Sequence, residues 1–248
     1  MIVKQVAFAL QILELFAERK SPATLSEIAD HFGWPRSSTF NLIETLSKAG
    51  YLYELRYRSG YYPTPRLLKL AEVIVAAAPV SDALKAMVEQ VAARTGETAI
   101  LAAPSGTSAV FVEVVESKNP IRYFAHVGQR VPLYATAAGR AILSLFSPRE
   151  RATILDKAEY ERFAAASLMN RQEVEEEIAI SQARGWFFNN NGYSPDLLGV
   201  AIPLPLPDRH FCLLVAGPAY RLEGLVDTLV TEARDAIAAY VKADSRVK

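Results

Sequence analysis

Ser37, Ser38 and Asn41, with Phe40 among them and Arg36 ahead, set hydroxyl, amide and guanidinium groups along one short segment. An Asn amide can bond an adenine edge at two points, a Ser hydroxyl can bond a base or a phosphate, and an Arg can bond guanine or phosphate. Arg36 would stand at a helix N-terminus, where backbone N–H groups also favour a phosphate. Further on, Arg56 and Arg58 lie between Tyr53, Tyr57 and Tyr61, a basic tip suited to backbone or minor-groove contact. These are the side chains with which a protein reads duplex DNA.

The flanking residues supply elements to hold them. Thr24 and Glu27 form an S/T-x-x-E capping box at the start of a helix on which Leu25, Ile28, Ala29 and Phe32 make one buried stripe. Gly33 ends that helix, and Pro35 is placed to open the next. The second helix buries Leu42, Ile43 and Leu46 and stops at Gly50, which leaves Ser37, Ser38 and Asn41 facing outward. Residues 51–56 and 60–64 then read as a hairpin turning at Arg58-Ser59-Gly60. The sum is a winged helix-turn-helix. The blander alternative is a small helical hairpin with an ordinary solvated face.

Composition fits a two-domain chain with a sizeable core: 248 residues, of which 51% are apolar. Formal net charge is zero, yet residues 1–70 hold nine Lys/Arg against six Asp/Glu, and the rest hold 18 against 21. The basic excess therefore lies with the DNA-reading part, as expected of a regulator that binds selectively. A single cysteine, Cys212, rules out an internal disulfide and suits a reducing cytoplasm. The apolar N-terminus carries Lys4 and Glu14 and no small-residue cleavage site, against a signal peptide. The run 67–78 is too short and too charged to span a bilayer, so no membrane partner is expected.

Two helices are apolar on more than one side: 3–18, with Val6, Leu10, Leu13 and Phe16 on one stripe and Phe8, Ile12 and Leu15 on another, and 67–78. Helices of this kind are covered all round, which predicts a homodimer contacting through them; coverage by the second domain of the same chain is the other possibility. The expected organisation is a DNA-binding domain over 1–65, a linker helix over 66–79 and a second domain over 80–248. In the last, helices are expected at 81–94, 136–146, 148–157 and 170–183, and strands at 98–103, 109–116, 121–126, 186–189, 199–206 and 210–216. A long helix with Leu222, Leu225, Val226, Leu229, Ala233, Ile237 and Tyr240 on one face closes the chain. Grouped strands flanked by helices predict an α+β fold with a mostly antiparallel sheet.

Within the second domain, GQRVPLYATAAGRAIL (128–143) is the most suggestive stretch. Thr136, Ala137, Ala138 and Gly139 at a helix start let a ligand approach the backbone, and the N–H groups there favour a carboxylate or another anion. Small residues at a helix start also serve close packing, and the sequence leaves both readings open. Catalysis has less support. His31, His126 and His210 are scattered, with no zinc or triad spacing, so neither metal nor cofactor is expected. Cys212 lies in FCLLVAG, where it reads as a small core hydrophobe. No phosphate-binding glycine loop and no Gly-x-Ser-x-Gly elbow occurs. An enzyme acting on a small organic acid, tethered by its DNA-binding domain, is the alternative from another class. A ligand-free DNA-binding structural protein is a third.

The stretches LQILELF, TLSEIADHFGWPRSSTFNLIETLSKAGYL, YYPTPRLLKL, VGQRVPLYATAAGRAIL, ARGW, GVAIPLPL and VAGPAYRL, in this order and spacing, resemble the IclR-type bacterial transcriptional regulators over nearly the whole chain. The resemblance implies a winged-helix domain, a linker helix and a GAF-like effector-binding domain. It also implies dimers or tetramers, a double-stranded DNA operator and a small organic acid as effector in catabolic control. Its effector positions fall on Val131, Thr136, Ala137, Ala138, Asn189, Leu197, Gly199, Leu214 and Ala216. The residues expected to meet DNA are Arg36, Ser37, Ser38, Phe40, Asn41, Arg56 and Arg58. Many members carry an acid where Asn189 stands, and cysteine or serine where Gly199, Leu214 and Ala216 stand. The departures imply a more apolar pocket, fit for an effector with a sizeable apolar or aromatic body rather than a tiny polar acid such as glyoxylate. Many relatives also carry Arg at position 41 and His at position 40; Asn41 would turn a preference for guanine or phosphate toward adenine.

Overall fold

In the computed structural model, which describes residues 3–55, 60–77, 80–207 and 209–244, the chain forms two units, Met1–Pro79 and Val80–Lys248. The first contains α1 (Lys4–Arg19), α2 (Leu25–Phe32), α3 (Arg36–Lys48), strands β1 (Leu52–Glu54) and β2 (Tyr61–Pro63), and α4 (Arg66–Ala76). The capping box is present: Thr24 Oγ1 accepts from Glu27 N, and the Glu27 carboxylate accepts from Thr24 N at 2.8 Å. Gly33 takes the left-handed conformation, φ 66°, that stops α2. Pro35 is the residue before α3 rather than its first member, with ψ at 133°. Ile12, Leu15, Phe16, Ile28, Ile43 and Leu52 form the core of this unit.

β1 and β2 pair antiparallel, Tyr53 opposite Tyr62, and Tyr61 also bridges back to Ala23 through two backbone hydrogen bonds of 2.8 and 3.1 Å. Gly60 makes that bridge possible. Its φ is 116°, and a Cβ there would press within 3.2 Å of the Ala23 backbone. The expected turn at Arg58-Ser59-Gly60 lies mostly outside the described residues.

The second unit is built by alternation along its strands. After α5 (Asp82–Thr95) come β3 (Thr98–Ser105), β4 (Ser108–Val115) and β5 (Arg130–Pro132), then α6 (Ala137–Leu143), α7 (Pro148–Leu155) and α8 (Arg171–Arg184). β6 (Phe187–Asn190), β7 (Leu197–Pro203) and β8 (Cys212–Pro218) follow, then α9 (Ala219–Leu222), a 3-10 turn and α10 (Val226–Asp244). The strands form one antiparallel sheet in the order β5-β4-β3-β8-β7-β6. Successive strand residues point to opposite faces. Ala99, Leu101, Leu198, Val200, Leu213 and Val215 therefore pack with α5 and α10. Their neighbours Ile100, Ala102, Phe111, Ala201, Cys212, Leu214 and Ala216 pack with α6 and α8. This is the α+β, antiparallel-sheet architecture the sequence predicts.

Two expectations need correction. Residues 121–126 form no strand, although apolar residues alternate there; Ile121 and Phe124 are exposed. Two carbonyls of this stretch are engaged by side chains: Thr98 Oγ1 donates to Tyr123 O at 2.8 Å and Arg221 Nη2 donates to Ile121 O at 3.0 Å. The chain rejoins the sheet at 128–129 through Phe111 and adds β5 as the edge strand instead. The closing helix is also broken. Leu222 ends α9, buried, whereas Leu225 lies in the 3-10 turn Glu223–Leu225 and is exposed. The exposed Gly224 interrupts the run, as its low helix propensity allows.

Candidate functional site

α3 has one buried and one open side. Thr39 and Ile43 are buried, and Thr39 Oγ1 donates back to Pro35 O at 3.2 Å. Arg36, Ser37, Ser38 and Asn41 are exposed, and Phe40 is 46% exposed. The Asn41 carbonyl accepts from Thr45 Oγ1 at 2.7 Å, but its side-chain amide has no partner among the described residues. A free amide, two hydroxyls and a guanidinium thus share the solvent side of one helix. Beside Phe40, a groove of about 530 Å³ runs between Thr24, Leu25 and Ser26 at the start of α2 and Glu54, Gly60 and Tyr61 of the hairpin. Arg56 and Arg58, expected to act with α3, lie outside the described residues.

In the second unit the nine positions expected to meet an effector line a single cavity, together with Phe111, Tyr123 and Tyr193. Strand register brings them together. Asn189 pairs with Gly199, and Gly199 with Ala216, so three of them lie in a row across β6, β7 and β8. Ala201 opposite Leu214 makes the next row, and Val131 enters from the β5 edge. Thr136, Ala137 and Ala138 come from the start of α6, whose residues are all buried. Gly199 keeps the centre open: a Cβ there would meet Leu214 Cδ1 at 3.3 Å and Ala137 Cβ at 4.0 Å. The cavity that remains between these side chains amounts to about 30 Å³. As it stands the cleft is narrow, with room for one or two waters.

Its walls are apolar, and most of their polar groups are already engaged. Thr136 Oγ1 accepts from Gly139 N at 3.0 Å and donates to Pro132 O. Tyr123 OH accepts from Gln129 Nε2, and burial pushes its phenol up to about 12, so it stays neutral. Burial also raises Tyr193, with Glu161 adding to the shift. Tyr193 rides on a tight loop in which Asn191 and Asp196 both adopt positive φ and Asn191 Oδ1 accepts from Asp196 N at 2.6 Å. Its ring packs on Phe163, with centroids 5.0 Å apart.

Sequence reasoning missed Phe111, Tyr123 and Tyr193, and also Arg140, which stands behind the cavity. Phe111 shares the β4 face with Ala109, and that pattern could have indicated it. Tyr123 sits in the alternating stretch 121–126 that forms no strand, and Tyr193 in a loop with no periodic signal. Arg140 had a signal: a cation inside the apolar run TAAGRAIL. Its guanidinium, 3% exposed, donates to Tyr134 O at 3.1 Å, Phe188 O at 2.7 Å and Asn189 Oδ1 at 3.4 Å.

No group of three or more His, Cys, Asp and Glu residues that could hold a metal occurs among the described residues. None of the described helices is long and apolar enough to cross a membrane.

Comparison with known proteins agrees with this arrangement. Residues 73–239 match the family model for the bacterial transcriptional regulator IclR C-terminal domain, and residues 6–56 match the IclR helix-turn-helix domain. The HTH-type transcriptional regulator XynR of Escherichia coli is 25% identical over 82% of this chain and 81% of its own length. The acetate operon repressor of Salmonella typhimurium is 23% identical over 93% of this chain and 84% of its own. A solved IclR homolog from Microbacterium hydrocarbonoxydans, complexed with 4-hydroxybenzoate, shares the fold with a TM-score of 0.73 at 21% identity, covering 98% of this chain and 100% of that one.

Proposed function

The chain belongs to the IclR family of bacterial transcriptional regulators, and we propose that within it this protein is a ligand-responsive repressor of a catabolic operon. It is a regulator rather than an enzyme, as its relatives are. In this reading residues 1–65 bind a pseudo-palindromic operator in double-stranded DNA, 66–79 link the domains, and 80–248 sense a small organic acid. Arg36, Ser37, Ser38, Phe40 and Asn41 face the operator, with Arg56 and Arg58 on the wing. The protein acts in the cytoplasm as a homodimer or homotetramer. Exposed Val6 and Leu10 on α1, and Leu68, Val73, Ile74 and Val75 on α4, support an association of copies through these helices.

The observation that carries the reading is the single cavity formed by Val131, Thr136, Ala137, Ala138, Asn189, Leu197, Gly199, Leu214 and Ala216. Its apolar walls favour an effector with an aromatic or sizeable aliphatic body, its polar end between Ala137, Ala138 and Asn189. The 4-hydroxybenzoate in the structural relative supports an aromatic acid here. Because the cleft is narrow, such a ligand must part the segments bearing Tyr123 and Tyr193. The open and closed arrangements then differ in affinity for the ligand, as any effector-driven shift requires. The test is a thermal-shift screen of aromatic and aliphatic carboxylates, followed by a gel shift of the chain's own upstream promoter with each hit. A carboxylate that stabilises the protein and releases the promoter is expected. If only short, highly polar acids bind, the assignment of effector class fails; if no genomic fragment is retained at low salt, the operator reading fails.

A further inference from the structure

Arg140 is a buried cation that makes no ion pair among the described residues. Among the described residues no carboxylate oxygen lies within 4.0 Å of it. Glu177, which favours its charged form from farther away, stands 3.9 Å from Arg184 instead, and Arg184 opposes that charge. Burial pulls the guanidinium down to about 10, still well above neutral pH, so the charge is kept. Two of its three partners are backbone carbonyls, and its Nε reaches no acceptor among the described residues. The third partner is Asn189, which lines the effector cavity.

This contact fixes the Asn189 amide. A guanidinium only donates, so the amide must turn its oxygen toward Arg140. Gly192 keeps that position open, since a Cβ at 192 would press within 2.6 Å of Asn189 Oδ1. The other end of the amide, Nδ2, has no hydrogen-bond partner among the described residues. Thr136 Oγ1 is already used twice, and Asn189 carries the one side-chain amide among the residues that line this apolar cleft. Behind it stands a full positive charge in a medium that screens poorly.

We propose that Arg140 is the charge-selecting positioning residue of the effector site: acting through Asn189, it presents Nδ2 to the cavity and makes the site prefer a carboxylate to its neutral isostere. The inference rests on the effector reading above and deepens it. Arg140 touches no ligand itself; its role is to orient the amide and to hold unneutralised charge behind it.

Matched pairs of probes test it on the full chain: benzoate against benzamide and hexanoate against hexanamide, titrated by calorimetry. The wild type is expected to bind each acid about tenfold more tightly than its amide, the margin between a charge-assisted and a neutral hydrogen bond. In Arg140→Met the ratio falls toward one. Loss of a buried arginine can unfold the domain, so Asn189→Asp gives an independent arm. There the carboxylate pairs with Arg140, the melting temperature holds or rises, and the preference for acids vanishes or reverses. A purely structural Arg140 would leave the acid-to-amide ratio unmoved. Equal binding of acid and amide by the wild type, or an unchanged ratio in Asn189→Asp, overturns the assignment while leaving an effector cavity in place. Binding of no probe at millimolar concentration by protein that still retains its promoter overturns the acid-effector reading and this one with it.

Discussion

Gly139 packs its bare Cα against the backbone of Leu133, so closely that a Cβ at 139 would collide with the Leu133 carbonyl. The run Thr136-Ala137-Ala138-Gly139 thus divides between two tasks. Gly139 brings α6 against the preceding segment, whereas Ala137 and Ala138 line the cavity. Gly139→Ala should cost about 3 kcal/mol or more, because backbone cannot move aside as a side chain can. Thermal unfolding of the variant should show the effector-domain transition lowered or lost. An unchanged transition would mean that the contact relaxes freely.

Asn41 offers an amide without a partner among the described residues from the open side of α3, and Arg36 stands where the helix begins. Asn41→Ala should weaken operator binding by about 1–3 kcal/mol and relax preference at one base position. Arg36→Ala, at the helix start proposed to meet a phosphate, should weaken all sequences alike and flatten the salt dependence. Binding to a library of operator variants at two salt concentrations separates the roles; equal losses on every sequence would refute the division.

The Glu27 carboxyl titrates at about 2 rather than 4.5, chiefly because it accepts from the Thr24 backbone N–H and from Arg19. A lowered native pKa adds stability that is fully present above 4.5 and is lost as pH falls through about 2. Since the Glu27 side chain is 45% exposed, water screens its partners, and the box is worth only about 1 kcal/mol. Glu27→Gln, which removes the charge and keeps the shape, should therefore lower the melting temperature of the DNA-binding unit at pH 7, and the gap should narrow between pH 4 and pH 2. A gap independent of pH would remove the Glu27 charge from the account.

How far the sequence carries differs between the units, and the reason is the range of the forces involved. Thr24, Glu27 and Gly33 act within a few residues, so local spacing shows them. The cavity positions fall on Asn189, Gly199 and Ala216, far apart in the chain, and resemblance locates them where periodicity does not. Part of what failed did so for long-range reasons. Residues 121–126 alternate like a strand, but Thr98 and Arg221 claim two of their carbonyls. β5 is too short to carry a pattern. Arg140 stood in plain view, yet its meaning depends on Phe188 and Asn189, which only folding brings near.

Cys212 is fully buried on β8, where its Sγ donates to Ala138 O at 3.4 Å, and burial pushes its thiol well up. The thiolate is the reactive form, so the native protein should resist thiol reagents. Labelling should reach completion only in denaturant, at a rate set by unfolding. Rapid labelling of the folded protein would show that the sheet opens toward α6 more freely than its packing implies.

Gly199 lies where β7 crosses the floor of the cavity. A methyl at 199 would touch Leu214 Cδ1 at 3.3 Å, a side-chain tip that can shift, and would reach Ala137 at ordinary contact distance. The fold should therefore accept Gly199→Ala with a loss of about 1 kcal/mol or less. The cleft should not accept it so readily, because little of its space admits even a water-sized sphere. Retained promoter binding, with an effector response needing about tenfold more ligand, is the expected outcome of gel shifts at graded effector concentration, since lost packing of a ring against one wall is worth a little over 1 kcal/mol. Unchanged response in a folded variant would mean that the ligand lies elsewhere than between β7 and α6.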